Sequence, residues 1–233
     1  MISLIVPFYN EEENISFVIK EVFDVLEKLN EPFEIIAIDD GSTDNTLKVL
    51  LNLKNEIKNL RVLKAEKNGG QSSAVWAGII SSKGDILITI DGDGQNDPSI
   101  IPEMLQNLKD FQMIVGVREK RKDSLWKRFS SKIANGFRRL ILKDPFKDIG
   151  CGLRVFKKDI LKYIPPFKTI HRFLPILVQW SGYKILEVKV KHRERFLGKS
   201  KYGTWKRLIN GLYDLNGLRW LYKRLIVYNV EEK

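Results

Sequence analysis

The chain has 233 residues, with 40 Lys and Arg against 29 Asp and Glu, 43% hydrophobic residues and a single cysteine. The charge is unevenly placed: residues 1–110 carry 10 basic and 19 acidic side chains (net −9), residues 111–233 carry 30 and 10 (net +20), and the halves sum to +11. These figures exclude a disordered chain, a disulfide-stapled scaffold and a cysteine-built zinc site, and the acidic half argues against a simple basic nucleic-acid binder.

At the N-terminus an apolar stretch, Ile2 to Val6, reads as a buried strand. It has no preceding basic region or cleavage site, so no signal peptide is expected. Apolar residues at Ile15, Val18, Ile19, Val22, Val25, Leu26 and Leu29 then have helical spacing. Phe33 to Ile38 predicts a strand and Thr43 to Ile57 a helix capped from Ser42–Asp44. Leu60 to Leu63 (strand), Gln71 to Ser81 (helix), Ile86 to Ile90 (strand), Ile100 to Lys109 (helix) and Met113 to Val117 (strand) follow. Such alternation predicts an α/β fold with a mostly parallel sheet flanked by helices.

Beyond this the pattern changes. Ser124 to Leu142 predicts an amphipathic helix with basic residues around an apolar side, Tyr183 to Val190 a strand, and Thr204 to Val227 a second basic amphipathic helix or helix pair. No apolar run approaches the ~18–20 residues needed to cross a bilayer. The expected boundaries are a catalytic domain over residues 1–203, which includes the helix near 124–142, and an amphipathic segment over 204–233.

Ligands of α/β sheets sit beyond the carboxyl ends of the strands. Four successive predicted strand ends here carry polar groups beside Gly or Pro: Pro7-Phe8-Tyr9-Asn10-Glu11, Asp39-Asp40-Gly41-Ser42-Thr43-Asp44, Asn68-Gly69-Gly70-Gln71 and Asp91-Gly92-Asp93-Gly94-Gln95. One such loop is ordinary turn chemistry; four along one edge point to a site. Carboxylates at Asp91 and Asp93 project the same way and suit Mg²⁺ or Mn²⁺ bridging to a diphosphate, although an isolated pair fits a capped loop equally well. An EF-hand loop is excluded by Asn96 and Pro102 at its sixth and twelfth positions, and neither a P-loop nor a dinucleotide fingerprint occurs. Asp39 and Asp40 fit either a base or ribose contact or a helix cap, and Asn68 to Gln71 either a turn or a nucleotide contact. In the basic half, Gly116-Val117-Arg118, then Arg121, Lys127 and Arg128, and the run His192 to Lys201 fit phosphate recognition or a solvated face. His171 and His192 lack metal-pair spacing and read as structural.

Pro7-x-Tyr9-Asn10-Glu11, Asp39 to Asp44, Asp91-x-Asp93-x-Gln95 and Arg195-x-x-Gly198-x-Ser200-Lys201 together resemble the family-2 glycosyltransferases of GT-A fold. The last motif, with Asp148 to Arg154 and His171-Arg172-Phe173, resembles the dolichol-phosphate mannose synthase and polyprenyl-phosphate glycosyltransferase branch. The resemblance covers about residues 2–203.

It implies that Pro7, Tyr9, Glu11, Ile38 and Asp40 hold the nucleoside of a nucleotide sugar. Asp91, Asp93 and Gln95 would hold a divalent cation and the diphosphate, with Gly92 against the donor. Arg118 would sit between donor and acceptor phosphates, with Lys127 and Arg128 toward the acceptor, and Arg195 and Lys201 would close over the diphosphate. Asp93, Arg118, Arg195 and Lys201 are therefore the expected catalytic group. The implied reaction moves a hexose from a GDP- or UDP-linked donor to dolichyl or undecaprenyl phosphate with inversion. An ionised acceptor phosphate needs no general base. The expected partners are the donor, the prenyl phosphate, an anionic membrane surface and a separate membrane-embedded subunit, with no nucleic acid. The expected location is the cytoplasmic face of a membrane, held peripherally through helices 124–142 and 204–227, which could instead pack on the catalytic domain. Two other readings remain: a family-2 transferase acting on a glycan or lipopolysaccharide hydroxyl, with Asp148 or Glu187 as base, and a non-catalytic basic module.

Overall fold

The computed structural model describes residues 1–119, 136, 138–194 and 204–226. In chain order the strands are β1 (Ile2–Phe8), β2 (Phe33–Asp39), β3 (Leu60–Lys64), β4 (Ile86–Thr89), β5 (Met113–Arg118), β6 (Arg154–Lys157) and β7 (Ile185–Val190). The helices are α1 (Ile15–Glu27), α2 (Thr46–Glu56), α3 (Gln71–Ser81), α4 (Ile101–Gln106), α5 (Ile170–Trp180) and α6 (Thr204–Tyr222), and short 3₁₀ turns flank α4.

The strands form one sheet in the order β3-β2-β1-β4-β6-β5-β7. Every pairing is parallel except the two made by β6, which runs antiparallel between β4 and β5. The mostly parallel sheet predicted from the alternation is therefore present. The central strands read as apolar runs because both faces are covered. Ile2, Leu4, Val6 and Phe8 of β1 face one core layer with α1. Ile5 of β1 and Ile36 and Ile38 of β2 face the other, with α3 and α5. Gly78 lets α3 settle onto this second face, since a Cβ there would lie 2.5 Å from Ile5.

The chain winds from β1 outward to β3 and then returns to place β4 on the other side of β1. The strand order thus reverses between β1 and β4, where α/β sheets open a ligand crevice. Two elements lay outside the sequence expectations. β6 has only four residues, and α5 carries Pro175 inside an apolar run. The expected helix over 124–142 lies mostly outside the described residues; residues 138–142 are helical. Leu215, Leu218 and Leu221 of α6 pack against the α5 side of the core, and Trp180 meets Tyr222 with ring centroids 4.7 Å apart and planes tilted by 47°. Among the described residues, no helix is long and apolar enough to cross a membrane.

Candidate active site

The β1 and β2 ends are clamped together by their own polar groups. The Asn10 N–H donates to Ser42 Oγ at 2.9 Å, and the Thr43 N–H donates back to Asn10 Oδ1 at 2.8 Å. The Glu11 N–H donates to Thr46 Oγ1 at 3.0 Å. Asp44, not Asp39 or Asp40, accepts from the Thr46 N–H at the start of α2. Asp40, only 3% exposed, turns to the next loop instead. Its oxygens accept from the Gly69 N–H at 2.9 Å, the Gly70 N–H at 2.8 Å and Asn68 Nδ2 at 3.1 Å. Gly41 makes this approach possible: its φ is +67°, and a Cβ would lie 2.6 Å from the Asn68 nitrogen.

Asp91 stands just beyond β4, across the switch point from Pro7. Gln71, the first residue of α3, donates through Nε2 to Asp91 Oδ1 at 2.7 Å, and Asn96 Nδ2 donates to Oδ2 at 3.3 Å. Gly92 packs against β1, where a Cβ would lie 2.6 Å from the Pro7 carbonyl and from Phe8. Gly152 is tighter still, because a Cβ would fall inside the Asp91 carboxylate. Burial, and then the charge of Asp93, push the Asp91 carboxyl from its ordinary 3.8 up to about 6, with Arg154 and Arg118 pulling against that rise.

Two arginines face this carboxylate. Arg118, at the end of β5, forms a fork with Asp148: Nε to Oδ2 at 2.7 Å and Nη2 to Oδ1 at 2.8 Å. Arg154 comes from β6. Because that strand runs antiparallel, its first residue pairs with Thr89 and so lands at the same edge as the ends of the parallel strands. The guanidinium is buried and donates to the carbonyls of Ile149, at 3.0 Å, and His171. The His171 ring is hydrogen-bonded at Nδ1 to Ser72 Oγ at 2.6 Å, and burial pushes its pKa down to about 3. The imidazole is thus neutral and structural, as its spacing suggested.

The loop after Asp93 is clipped to the strand leaving β7. Asn96 bridges to His192, the Arg193 N–H donates to the Gln95 carbonyl at 2.8 Å, and Gln95 Nε2 donates to the Arg193 carbonyl at 3.3 Å. The Arg193 guanidinium pairs with Glu21 at 2.7 Å and Asp97 at 3.1 Å. The segment carrying Arg195 and Lys201 is therefore tethered at its start to the Asp91–Asn96 loop, although both residues lie outside the described ones, as do Lys127 and Arg128.

Residues 3–164 match Glycosyl transferase family 2. The chain belongs to that family.

Its curated relatives include the undecaprenyl-phosphate 4-deoxy-4-formamido-L-arabinose transferases of Pectobacterium atrosepticum, 35% identical, and Photorhabdus laumondii subsp. laumondii, 33% identical. Each match covers 92% of this chain and 66% of the relative, so the chain spans just under two thirds of those proteins. Among solved structures, glucosyl-3-phosphoglycerate synthase from Mycobacterium tuberculosis, in complex with Mn²⁺, UDP and phosphoglyceric acid, superposes with a TM-score of 0.69. It is 19% identical over 98% of this chain and 80% of that one. That likeness shows the fold: this family-2 glycosyltransferase has the expected GT-A architecture.

Within the transferase, Pro7, Tyr9, Glu11, Asp40, Asp91, Gly92, Asp93, Gln95 and Arg118 all lie at the sheet edge where the sequence motifs placed them. Ile38 differs in kind, since its side chain is buried in the core and only its main chain is near the edge. Among the described residues no cluster of three or more His, Cys, Asp or Glu could hold a metal by itself. The donor set still fits Mg²⁺ or Mn²⁺, which typically take one or two carboxylates and complete their shell with water and substrate phosphate. A half-buried Asp91 whose carboxylate form is disfavoured is consistent with a cation arriving with the donor.

Two contributors had no role assigned from sequence: Asn96, which holds Asp91 Oδ2, and Arg154, whose charge opposes that of Asp91; Gln71, read from sequence as part of a turn or a nucleotide contact, holds Asp91 Oδ1. The stretch Asp148-Ile149-Gly150-Cys151-Gly152-Leu153-Arg154 carried a signal, because two glycines before a buried arginine mark a close approach.

Proposed function

We propose that this glycosyltransferase moves a hexose from a nucleoside-diphosphate sugar to the phosphate of a polyprenyl phosphate, with inversion at the anomeric carbon and with Mg²⁺ or Mn²⁺. The observation carrying this reading is the acidic pair Asp91 and Asp93 at the β1/β4 switch point, faced by Arg118 and Arg154. The acceptor class is supported by the names of the curated relatives. The cation and a uridine donor are supported by the ligands of the mycobacterial neighbours.

A phosphate oxygen of the acceptor attacks the anomeric carbon as the bond to the donor diphosphate breaks. Negative charge then gathers on the departing nucleoside diphosphate. A divalent cation, when bound by Asp91 and Asp93, with Gln95 close by, supplies charge neutralisation on that diphosphate. Asp40 and the β1–β2 clamp preorganise the nucleoside end beside Tyr9 and Glu11. Arg118 sits where the two phosphates meet, and Arg195, Lys201, Lys127 and Arg128 are assigned to the diphosphate and acceptor phosphate from their motifs. An acceptor hydroxyl would need a base. Both candidate carboxylates are already engaged, Asp148 by the Arg118 fork and Glu187 by the Lys147 N–H at 2.7 Å, which favours the phosphate acceptor.

The enzyme works at the cytoplasmic face of a membrane. Exposed Leu140, Tyr213, Trp220 and Ile226 stand among Arg139, Arg219, Lys223 and Arg224, a pairing suited to anionic headgroups. The test incubates the full chain with Mg²⁺ or Mn²⁺, a panel of UDP- and GDP-sugars, and undecaprenyl or dolichyl phosphate. A lipid-linked sugar with one donor is the expected product; no product with any donor sinks the proposal.

A further inference from the structure

A cleft of about 280 Å³ lies between α3 and residues 166–170, beside the candidate active site. Ser72, Trp76, Ala77 and Ile80 form its α3 wall, and Phe167 and Ile170 stand opposite. The α3 residues fall at i, i+4, i+5 and i+8, one face of the helix, which at ~1.5 Å per residue runs roughly 12 Å away from the catalytic edge. The cleft changes character along that line. At its inner end Ser72 follows Gln71, the residue bonded to Asp91, and joins His171, whose carbonyl holds Arg154. At its outer end Ile80 is 67% exposed, an apolar side chain left at an open mouth. The wall at 167–170 is backed by α6, where Asp214 lies against Thr169 and Arg172.

We propose that this cleft seats the first isoprene units of the prenyl-phosphate acceptor. The inference rests on the acceptor class proposed above. A polar inner end beside the phosphate-handling groups and an apolar outer end match a ligand with a charged head and a hydrocarbon tail. Burying that tail against Trp76, Ile80 and Phe167 removes apolar surface from water on both partners.

The test titrates the full chain, with Mn²⁺ and UDP or GDP, against farnesyl phosphate, dimethylallyl phosphate and palmitate. Farnesyl phosphate should bind at least tenfold more tightly than dimethylallyl phosphate. Ala77→Trp, which fills the cleft, and Ile80→Asp, which charges its mouth, should each erase that difference while leaving dimethylallyl phosphate binding and thermal unfolding unchanged. A diazirine-bearing prenyl phosphate should label peptides from α3 and residues 164–180. Unchanged farnesyl phosphate preference in both variants, or labelling elsewhere, overturns the assignment, as does equal binding of palmitate. Self-association in sedimentation that both variants abolish, with prenyl binding intact, assigns the cleft to a second copy instead. If wild-type protein binds neither phosphate and transfers no sugar to undecaprenyl phosphate, the acceptor class itself fails; if it does transfer and the variants behave like wild type, only the cleft assignment fails.

Discussion

The two sides of the switch point are built on different principles. On the β1–β2–β3 side, loops bind loops: main-chain N–H groups of Asn10, Thr43, Gly69 and Gly70 donate to Ser42, Asn10 and Asp40. That side is preorganised from local groups, and its buried Asp40 is held by main-chain N–H groups rather than by an opposing charge. On the β4–β6–β5 side, charge opposes charge: Asp91 and Asp93 repel, Arg154 and Arg118 offset them, and Asp148 holds Arg118. The first arrangement suits a neutral base and ribose. The second suits a diphosphate and a cation, which complete a charge balance that the protein leaves unfinished. Substitutions on the two sides should therefore separate, with the charged side governing turnover and the hydrogen-bonded side governing donor affinity.

The largest effect is expected on the charged side. Asp93→Ala removes one of the two carboxylates proposed for the cation and should lower kcat by about 10²–10³, with cation-dependent stabilisation by nucleoside diphosphate lost as well. Asp40→Asn, on the other side, should raise the donor KM more than it lowers kcat. If Asp93→Ala moved only KM, the division between the two sides would be wrong.

Asp91 tests the unfinished balance directly. Unfolded, its carboxyl releases a proton near the ordinary 3.8; folded, it holds the proton to about 6. Stability from this group is thus fully present below pH 3.8, fades as pH rises toward 6 and is gone above it. Asp91→Asn should stabilise the cation-free protein at pH 7 by about 2–3 kcal/mol, with no difference from wild type below about pH 4. Thermal unfolding against pH measures this. The same variant should lose transfer activity. Equal unfolding temperatures at pH 7 would show that Arg118 and Arg154 already compensate the charge.

A smaller effect belongs to the groups that aim Asp91. Gly152→Ala puts a methyl group where the carboxylate stands, and Asn96→Ala or Gln71→Ala removes a donor to it. Each should weaken cation affinity or activity by about 10- to 100-fold, while donor binding without cation stays near wild type.

How much of this could be read from sequence follows the same division. The β1, β2 and β4 ends were legible because each follows a parallel strand, so the residues after an apolar run fall at one edge. Asp40 was legible as a site residue but not as the anchor of Gly69 and Gly70, because a pairing across 29 residues leaves no periodic trace. Arg154 was hidden by geometry. It begins a four-residue antiparallel strand, so it reaches the site from the start of its strand, and a run that short carries no clear alternation. Helix α5 was hidden by composition, since Pro175 within its apolar run argues locally against a helix that tertiary packing supports.

The smallest effect concerns the face away from the sheet. Lys223 and Arg224 follow α6 beside Trp220 and Tyr222. If this end lies on anionic lipid, each basic residue adds about 1 kcal/mol, so Arg224→Glu should reduce vesicle partitioning at least fivefold. The loss should shrink as salt is raised, because screening weakens the wild-type attraction more than the variant's. Transfer to a water-soluble prenyl phosphate should be unaffected, since Arg224 is exposed beyond the end of α6. A variant that lost both partitioning and soluble turnover would instead assign Arg224 to holding α6 on the catalytic core, and the division between sheet edge and lipid face would have to be redrawn at α6.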